Sequence, residues 1–256
     1  MINSLRYFNF KKSKIAYHIN DSLKSHSVIL FLHGGFSQPN CYKSLLGEIA
    51  KSSTLISIHL PGHGKSSSLT YSWKKDDYVA IIEAFILQLP YDSITIIGHS
   101  FGGCLALEIP ARKVINIKKI VLISSGGIEL KSSKRNLFFN FLIKKTRYVF
   151  NTKSNKIVLF SIGKDFIGNI FLHLTSYHHL INSILTITDN PKIELHNITV
   201  PALIIWGDDD EIFPLFIAHE LLKKVKQSSL IIIPGNHDIC MVFPNLFNDH
   251  IKSFIE

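Results

Sequence analysis

The 256-residue chain predicts an α/β fold: a mostly parallel, open sheet of about eight strands with helices on both faces and an inserted helical cap. Three observations predict it. Short β-branched runs alternate with stretches of helical length, the pattern of strands buried on both faces of a parallel sheet. Hydrophobic residues make up 46% of the chain and charged residues 18%, which is enough apolar surface to offset the entropy of ordering and excludes a disordered or fibrous chain. The alternation then stops between residues 131 and 195, where no buried-strand run occurs. A structureless loop of that length is implausible in a compact domain, so helices are expected there.

Taken in order, residues 7–10 and 14–19 flank Lys-Lys-Ser and predict an opening hairpin. Buried strands follow at 28–32, 55–59, 94–97, 120–123, 202–206 and 230–233, each bounded by Gly, Pro or Ser. Helices are expected at 42–51, 76–89, 102–112, 215–225 and 245–254. The organisation is therefore a core in two parts, residues 1–130 and 196–256, with a helical cap at 131–195.

No 18-residue stretch is free of charged or strongly polar side chains, and the first ten residues lack a basic-then-apolar leader pattern. Cys41, Cys104 and Cys240 are odd in number and widely spaced, which suits neither a disulfide framework nor a zinc site. A cytoplasmic protein in a reducing compartment is the expectation.

The net charge is +9, carried by 24 Lys and 4 Arg against 19 acidic residues. Arg is the side chain suited to bidentate reading of phosphates and base edges, so a nucleic-acid partner is not expected. Residues 131–190 hold nine basic and two acidic side chains, most of the net charge. Within them, 138–150 mixes aromatics with cations, so an acidic carrier protein or an anionic membrane surface is a candidate partner there. The plainer reading is a solvated face of lysines in a Lys-, Ile- and Asn-rich chain.

Gly98-His-Ser100-Phe-Gly102-Gly103 sets Gly-x-Ser-x-Gly between a strand run and a helical stretch. A serine on such a turn has its hydroxyl lifted clear of the backbone, and the helix start behind it offers N–H groups to a developing oxyanion. A serine hydroxyl is a poor nucleophile until a base takes its proton, so a carboxylate and a histidine are required further on. Asp208, Asp209 and Asp210 follow the strand run at 202–206, and His237 follows the one at 230–233. In a parallel sheet these strand ends share one edge, where separated residues converge. His33-Gly34-Gly35-Phe36 follows the run at 28–32, and its glycines allow a second backbone donor, Gly35 or Phe36, to join that of Phe101.

With these motifs, with Leu60-Pro-Gly-His-Gly64 and with Pro244 seven residues after His237, nearly the whole chain resembles the α/β-hydrolase superfamily, in its single-domain group with a helical cap. The resemblance implies Ser100 as nucleophile, His237 as base and Asp210, three residues after Gly207 and four before Pro214, as the acid. It implies acyl transfer to water by a serine esterase acting on a small to medium acyl ester or thioester, with no metal or organic cofactor. An esterase for a carrier-protein-linked acyl ester, such as a pimeloyl methyl ester, a weakly catalytic receptor on the same fold, and a C–C bond hydrolase or lyase using the same triad are the alternatives. His59 and Val242 stand where such proteins often have acidic residues. The resemblance gives His33 and His63 supporting roles; His99 is assigned to packing at the turn, and Phe138, Phe139, Phe141 and Phe171 to shaping of the acyl site.

Overall fold

The computed structural model describes residues 4–21, 23, 25–129 and 156–256, with the side chains of 156–162 and 166 left aside. The opening hairpin is β1 (Ser4–Phe10) and β2 (Ser13–Asn20), joined through Lys11, whose φ is 52°. After it come β3 (Ser27–Leu32), α1 (Lys43–Ile49), β4 (Leu55–Ile58), α2 (Lys75–Ile86), β5 (Ser93–His99), α3 (Phe101–Arg112) and β6 (Lys119–Ile123). Two helices, α4 (Lys156–Leu172) and α5 (Tyr177–Asp189), precede β7 (Ala202–Gly207). The chain closes with α6 (Phe216–Lys224), β8 (Ser228–Ile233), α7 (Ile239–Val242) and α8 (Asn245–Ile255).

The eight strands form one sheet in the order β1-β2-β4-β3-β5-β6-β7-β8. Only β2 runs against its neighbours; every pair from β4 to β8 is parallel. Alternate strand residues feed two cores. Leu30, Leu32, Ile96, Leu122 and Ile204 pack with α2, α3 and α6, whereas Ile29, Phe31, Ile97, Val121 and Ile205 pack with α1, α7 and α8. This two-sided burial is why the strands read as continuous apolar runs.

The expected strands and helices lie where the sequence placed them, with ends displaced by up to three residues. The helix at 76–89 stops at Ile86, and the one at 102–112 begins a residue early, at Phe101. Of the interval expected as a cap, 131–155 lies outside the described residues, as do Phe138, Phe139 and Phe141. The remainder holds α4 and α5, and Leu180, Ile184 and Ile187 of α5 join the core on the α3 side of the sheet.

Parallel pairing aligns the strand ends that matter. Leu32 lies opposite Gly98, Gly98 opposite Leu122, and Gly207 opposite Ile233, so the segments following β3, β5, β7 and β8 emerge at one edge. Among the described residues no helix is long and apolar enough to cross a membrane.

Candidate active site

Ser100 joins β5 to α3 with φ 54° and ψ −117°, a strained backbone for a residue with a side chain. Its neighbours hold it there. Its N–H donates to the Ile123 carbonyl at 3.0 Å, and its own carbonyl accepts the N–H groups of Gly103 and Gly126 at 3.0 and 3.2 Å. The flanking glycines are needed for room rather than for a special φ. A Cβ on Gly98 would lie 2.5 Å from the Gly102 carbonyl oxygen, and one on Gly102 would lie 2.2 Å from that of Leu32. The helix is thus driven hard against the end of β3, which aims its first turn at the edge where Ser100 sits.

His237 Nε2 lies 2.9 Å from Ser100 Oγ, and its Nδ1 lies 2.9 and 3.1 Å from the two carboxylate oxygens of Asp210. Asp210 is buried, and its Oδ1 also accepts the N–H groups of Ile212 and Phe213 at 3.0 and 2.8 Å. Burial pushes the His237 imidazole down, but the charge and hydrogen bond of Asp210 pull harder, and its pKa ends above the usual 6.5. Asp208 is exposed and accepts the Gly235 N–H at 2.8 Å, shaping the turn before His237, and Asp209 is exposed. Of the three aspartates, Asp210 is the one that bonds His237.

Backbone N–H groups of the two segments expected to hold an oxyanion flank Ser100. Phe101 is the first residue of α3, where an N–H has no carbonyl of its own helix to bond. The N–H of Phe36 is engaged: it donates to His63 Nε2 at 3.2 Å. The N–H of Gly35 has no protein partner among the described residues. Of the two expected alternatives, Gly35 is therefore the one whose donor is available, while Phe36 contributes its side chain to the cavity.

A second hydrogen-bonded chain, invisible in the sequence, supports the first. The Gly34 N–H donates to Tyr42 Oη at 3.0 Å, the Tyr42 hydroxyl donates to His99 Nδ1 at 2.7 Å, and His99 Nε2–H donates to the His237 carbonyl at 3.0 Å. It ties three of the four edge loops together. Burial, with the nearby His237, lowers the His99 pKa to about 4, so the ring is neutral, as its acceptor Nδ1 requires. His33 is likewise neutral, its pKa lowered to about 3 by burial, with Nδ1–H donating to the Gly34 carbonyl and Nε2 accepting the Leu60 N–H.

The remaining candidates divide clearly. His173 is buried, with Nδ1 bonded to Ser68 Oγ at 2.7 Å and Nε2 to the Gly64 carbonyl at 3.1 Å, so it docks α4 onto the Pro-Gly-His-Gly turn. His178 and His179 lie against each other outside the core, their rings 3.8 Å apart and tilted by 43°. Cys104 is buried, which pushes its thiol up to about 12 and leaves it no thiolate character. His99, His237 and Asp238 bring ligand-type atoms within 4.8 Å of one another, yet both ring nitrogens of each histidine are already bonded to protein groups. Phe171, expected near the acyl site, is 72% exposed on α4. The residues of α5 that do line the cavity above Ser100 are Ile184, Leu185 and Thr188. Their spacing along one helix face was available in the sequence, but nothing there said which face met the serine.

A mostly parallel sheet whose edge carries a serine on a strand-to-helix turn, hydrogen-bonded to a histidine and through it to an aspartate, defines a class of α/β enzyme. The chain belongs to the alpha/beta hydrolase fold family, whose model matches residues 27–167. It is 23% identical over 245 residues to the uncharacterized hydrolase YugF of Bacillus subtilis, with 90% of each chain covered. It is also 24% identical over 239 residues to 2-hydroxy-6-oxononadienedioate/2-hydroxy-6-oxononatrienedioate hydrolase of Klebsiella pneumoniae, covering 83% of this chain and 81% of that one. In fold it is similar to a serine hydrolase involved in carbazole degradation, with a TM-score of 0.79, 19% identity and 98% of each chain covered.

Proposed function

We propose that this chain is a serine hydrolase that cleaves a carboxylic ester or thioester of a small-molecule acyl substrate through an acyl-enzyme. The observation that carries the reading is the 2.9 Å contact between Ser100 Oγ and His237 Nε2 on the floor of a cavity, with Asp210 on the far nitrogen. Ser100 attacks the acyl carbonyl as His237 Nε2 accepts its proton, and Asp210 holds Nδ1–H and stabilises the resulting imidazolium. The N–H groups of Gly35 and Phe101 receive the oxyanion; loss of one such donor costs about 3 kcal/mol of barrier. His237 then protonates the departing alcohol or thiol, and in a second half-reaction deprotonates the water that frees the acyl group.

In this reading residues 131–195 form the cap, and α5 closes the cavity. The basic interval at 131–190 supports a carrier-protein-linked acyl group as a second reading, with activity that falls steeply as salt is added. Cleavage of a dienedioate, named for the Klebsiella relative, fits less well, because no Lys or Arg is among the described residues lining the cavity.

A fluorophosphonate probe and a panel of p-nitrophenyl esters and acyl thioesters test the proposal. Wild-type protein should be labelled and turn over esters, and Ser100→Ala should do neither. Labelling that survives Ser100→Ala, or a labelled protein that turns over none of the panel, as a receptor would, overturns it.

A further inference from the structure

The cavity above Ser100 is small and its walls are apolar. Its volume is about 50 Å³, and it is partly open to solvent. A water-sized position needs roughly 10–15 Å³, so the space admits about four heavy atoms. Among the described residues its walls are Phe36, Phe101, Ile184, Leu185, Ile212 and Phe213. Among the described lining residues, the only polar side chain apart from Ser100 and His237 is Thr188, whose hydroxyl is committed to the Ile184 carbonyl at 2.8 Å.

These walls are fixed from behind. Phe101 is fully buried and meets Tyr78 edge to face at 5.2 Å. Phe213 is pinned by its N–H on Asp210 and its carbonyl on Trp206 Nε1. Ile184 is buried and presses on the oxyanion loop itself, since a Cβ on Gly35 would meet two of its carbons at 3.0 Å. Close-packed interiors do not open for a longer chain without cost.

From this we infer that the acyl half of the substrate is an uncharged chain of about two to four carbons, with Ile184 as the wall that sets its length. The inference rests on the ester-hydrolase reading and narrows it. The acyl group is the half that remains bonded to Ser100 while the alcohol leaves, so it is the half held longest against these walls. A carboxylate on it would be buried with no cation among the described lining residues, which is costly.

The test holds the leaving group constant and varies the acyl group: p-nitrophenyl acetate, butyrate, hexanoate and octanoate, and the p-nitrophenyl half-ester of succinate. Wild-type kcat/KM should peak at acetate or butyrate and fall at least tenfold by hexanoate, in keeping with the roughly 10- to 200-fold worth of a methylene at a fitted wall. The succinyl substrate should be at least a hundredfold poorer than butyrate. Ile184→Ala should move the optimum toward hexanoate, and Ile184→Phe should confine it to acetate. Leu185→Ala, at a half-buried position, gives a second lengthening variant should Ile184→Ala not fold. A wild-type optimum at hexanoate or beyond, or succinyl turnover equal to butyryl, overturns the inference and leaves the hydrolase reading standing. Absence of turnover on every ester defeats both.

Discussion

The Tyr42 hydroxyl donates to His99 Nδ1 at 2.7 Å, and through that one bond the loop carrying Gly34 is coupled to the backbone of His237. Tyr42 lies just ahead of α1 and is fully buried. Its oxygen is placed where a Cβ on Gly34 would meet it at 3.0 Å. The relationship explains how three loops, far apart in the chain, hold their donors and acceptors in register around Ser100.

Tyr42→Phe removes the donor to His99 and the acceptor of the Gly34 N–H while preserving the ring. Leaving two buried groups unpaired should cost about 1–3 kcal/mol in chemical denaturation. Turnover should fall in kcat by about tenfold, or ~1.4 kcal/mol of barrier, with KM little changed, because the loops lose their register rather than their substrate contacts. Unchanged stability and unchanged kcat together would show the chain of bonds to be idle.

Asp210→Asn should lower kcat by about 10⁴, as expected when the imidazole loses its carboxylate partner and its tautomer control. Asp209→Asn, at an exposed position, should stay within about twofold of wild type. Asp208→Asn retains an acceptor for the Gly235 N–H and should also be mild. A large loss at 208 or 209 with a mild one at 210 would reassign the acid.

The base must be neutral to accept a proton from Ser100, so kcat/KM should rise with pH through the pKa of His237. Burial lowers that pKa and Asp210 raises it further, to a net position above 6.5. The ascending limb should therefore lie above pH 6.5 in wild type and move to lower pH in Asp210→Asn. A limb that ignores the substitution would contradict the assignment.

Acid should destabilise the fold through its buried neutral histidines. Burial lowers His33 and His59 to about 3 and His99 to about 4, and lowers His63 well below its ordinary value. The unfolded chain takes up protons as pH drops below about 6.5 while the folded chain does not, so stability is full above that pH and is lost on the way down. Each such histidine contributes a slope of about 1.4 kcal/mol per pH unit between its two pKa values. Burial lowers His18 and His173 as well, and these six histidines oppose His237, Glu83, Asp165 and Glu211, which are shifted up and act in the opposite sense. Tm measured from pH 7.5 to 4.5 should fall steeply, and a flat profile would refute the neutral assignments.

Gly102→Ala should destabilise by at least ~3 kcal/mol or abolish folding, because its Cβ would strike the Leu32 carbonyl, a backbone atom that cannot rotate away. Gly47→Ala on α1, with open space around it, should instead gain about 0.5–1 kcal/mol through helix propensity. Paired denaturation curves check both.

Much of this was written locally in the chain. Buried strands announce themselves as apolar runs because both their faces are covered, so the six at 28–32 through 230–233 could be located without coordinates. The Gly98–Gly103 motif, the aspartates at 208–210 and His237 could be placed on strand ends for the same reason, and parallel pairing then put those ends on one edge. What depended on the packing of distant segments was not legible. Whether the N–H of Gly35 or of Phe36 is open depends on His63, 27 positions later, and no local spacing encodes that contact. Tyr42 carried no signal, since a tyrosine before a helix is ordinary until His99 is found beside it. Phe171 and Ile184 are both apolar residues on helices, and only the docking of α4 and α5 turned one toward solvent and the other onto the loop carrying Gly35. Sequence fixes which residues prefer burial and which chemistry they carry; the three-dimensional fold fixes which of them meet, because hydrogen bonds and packing act over a few ångströms of space and not along the chain.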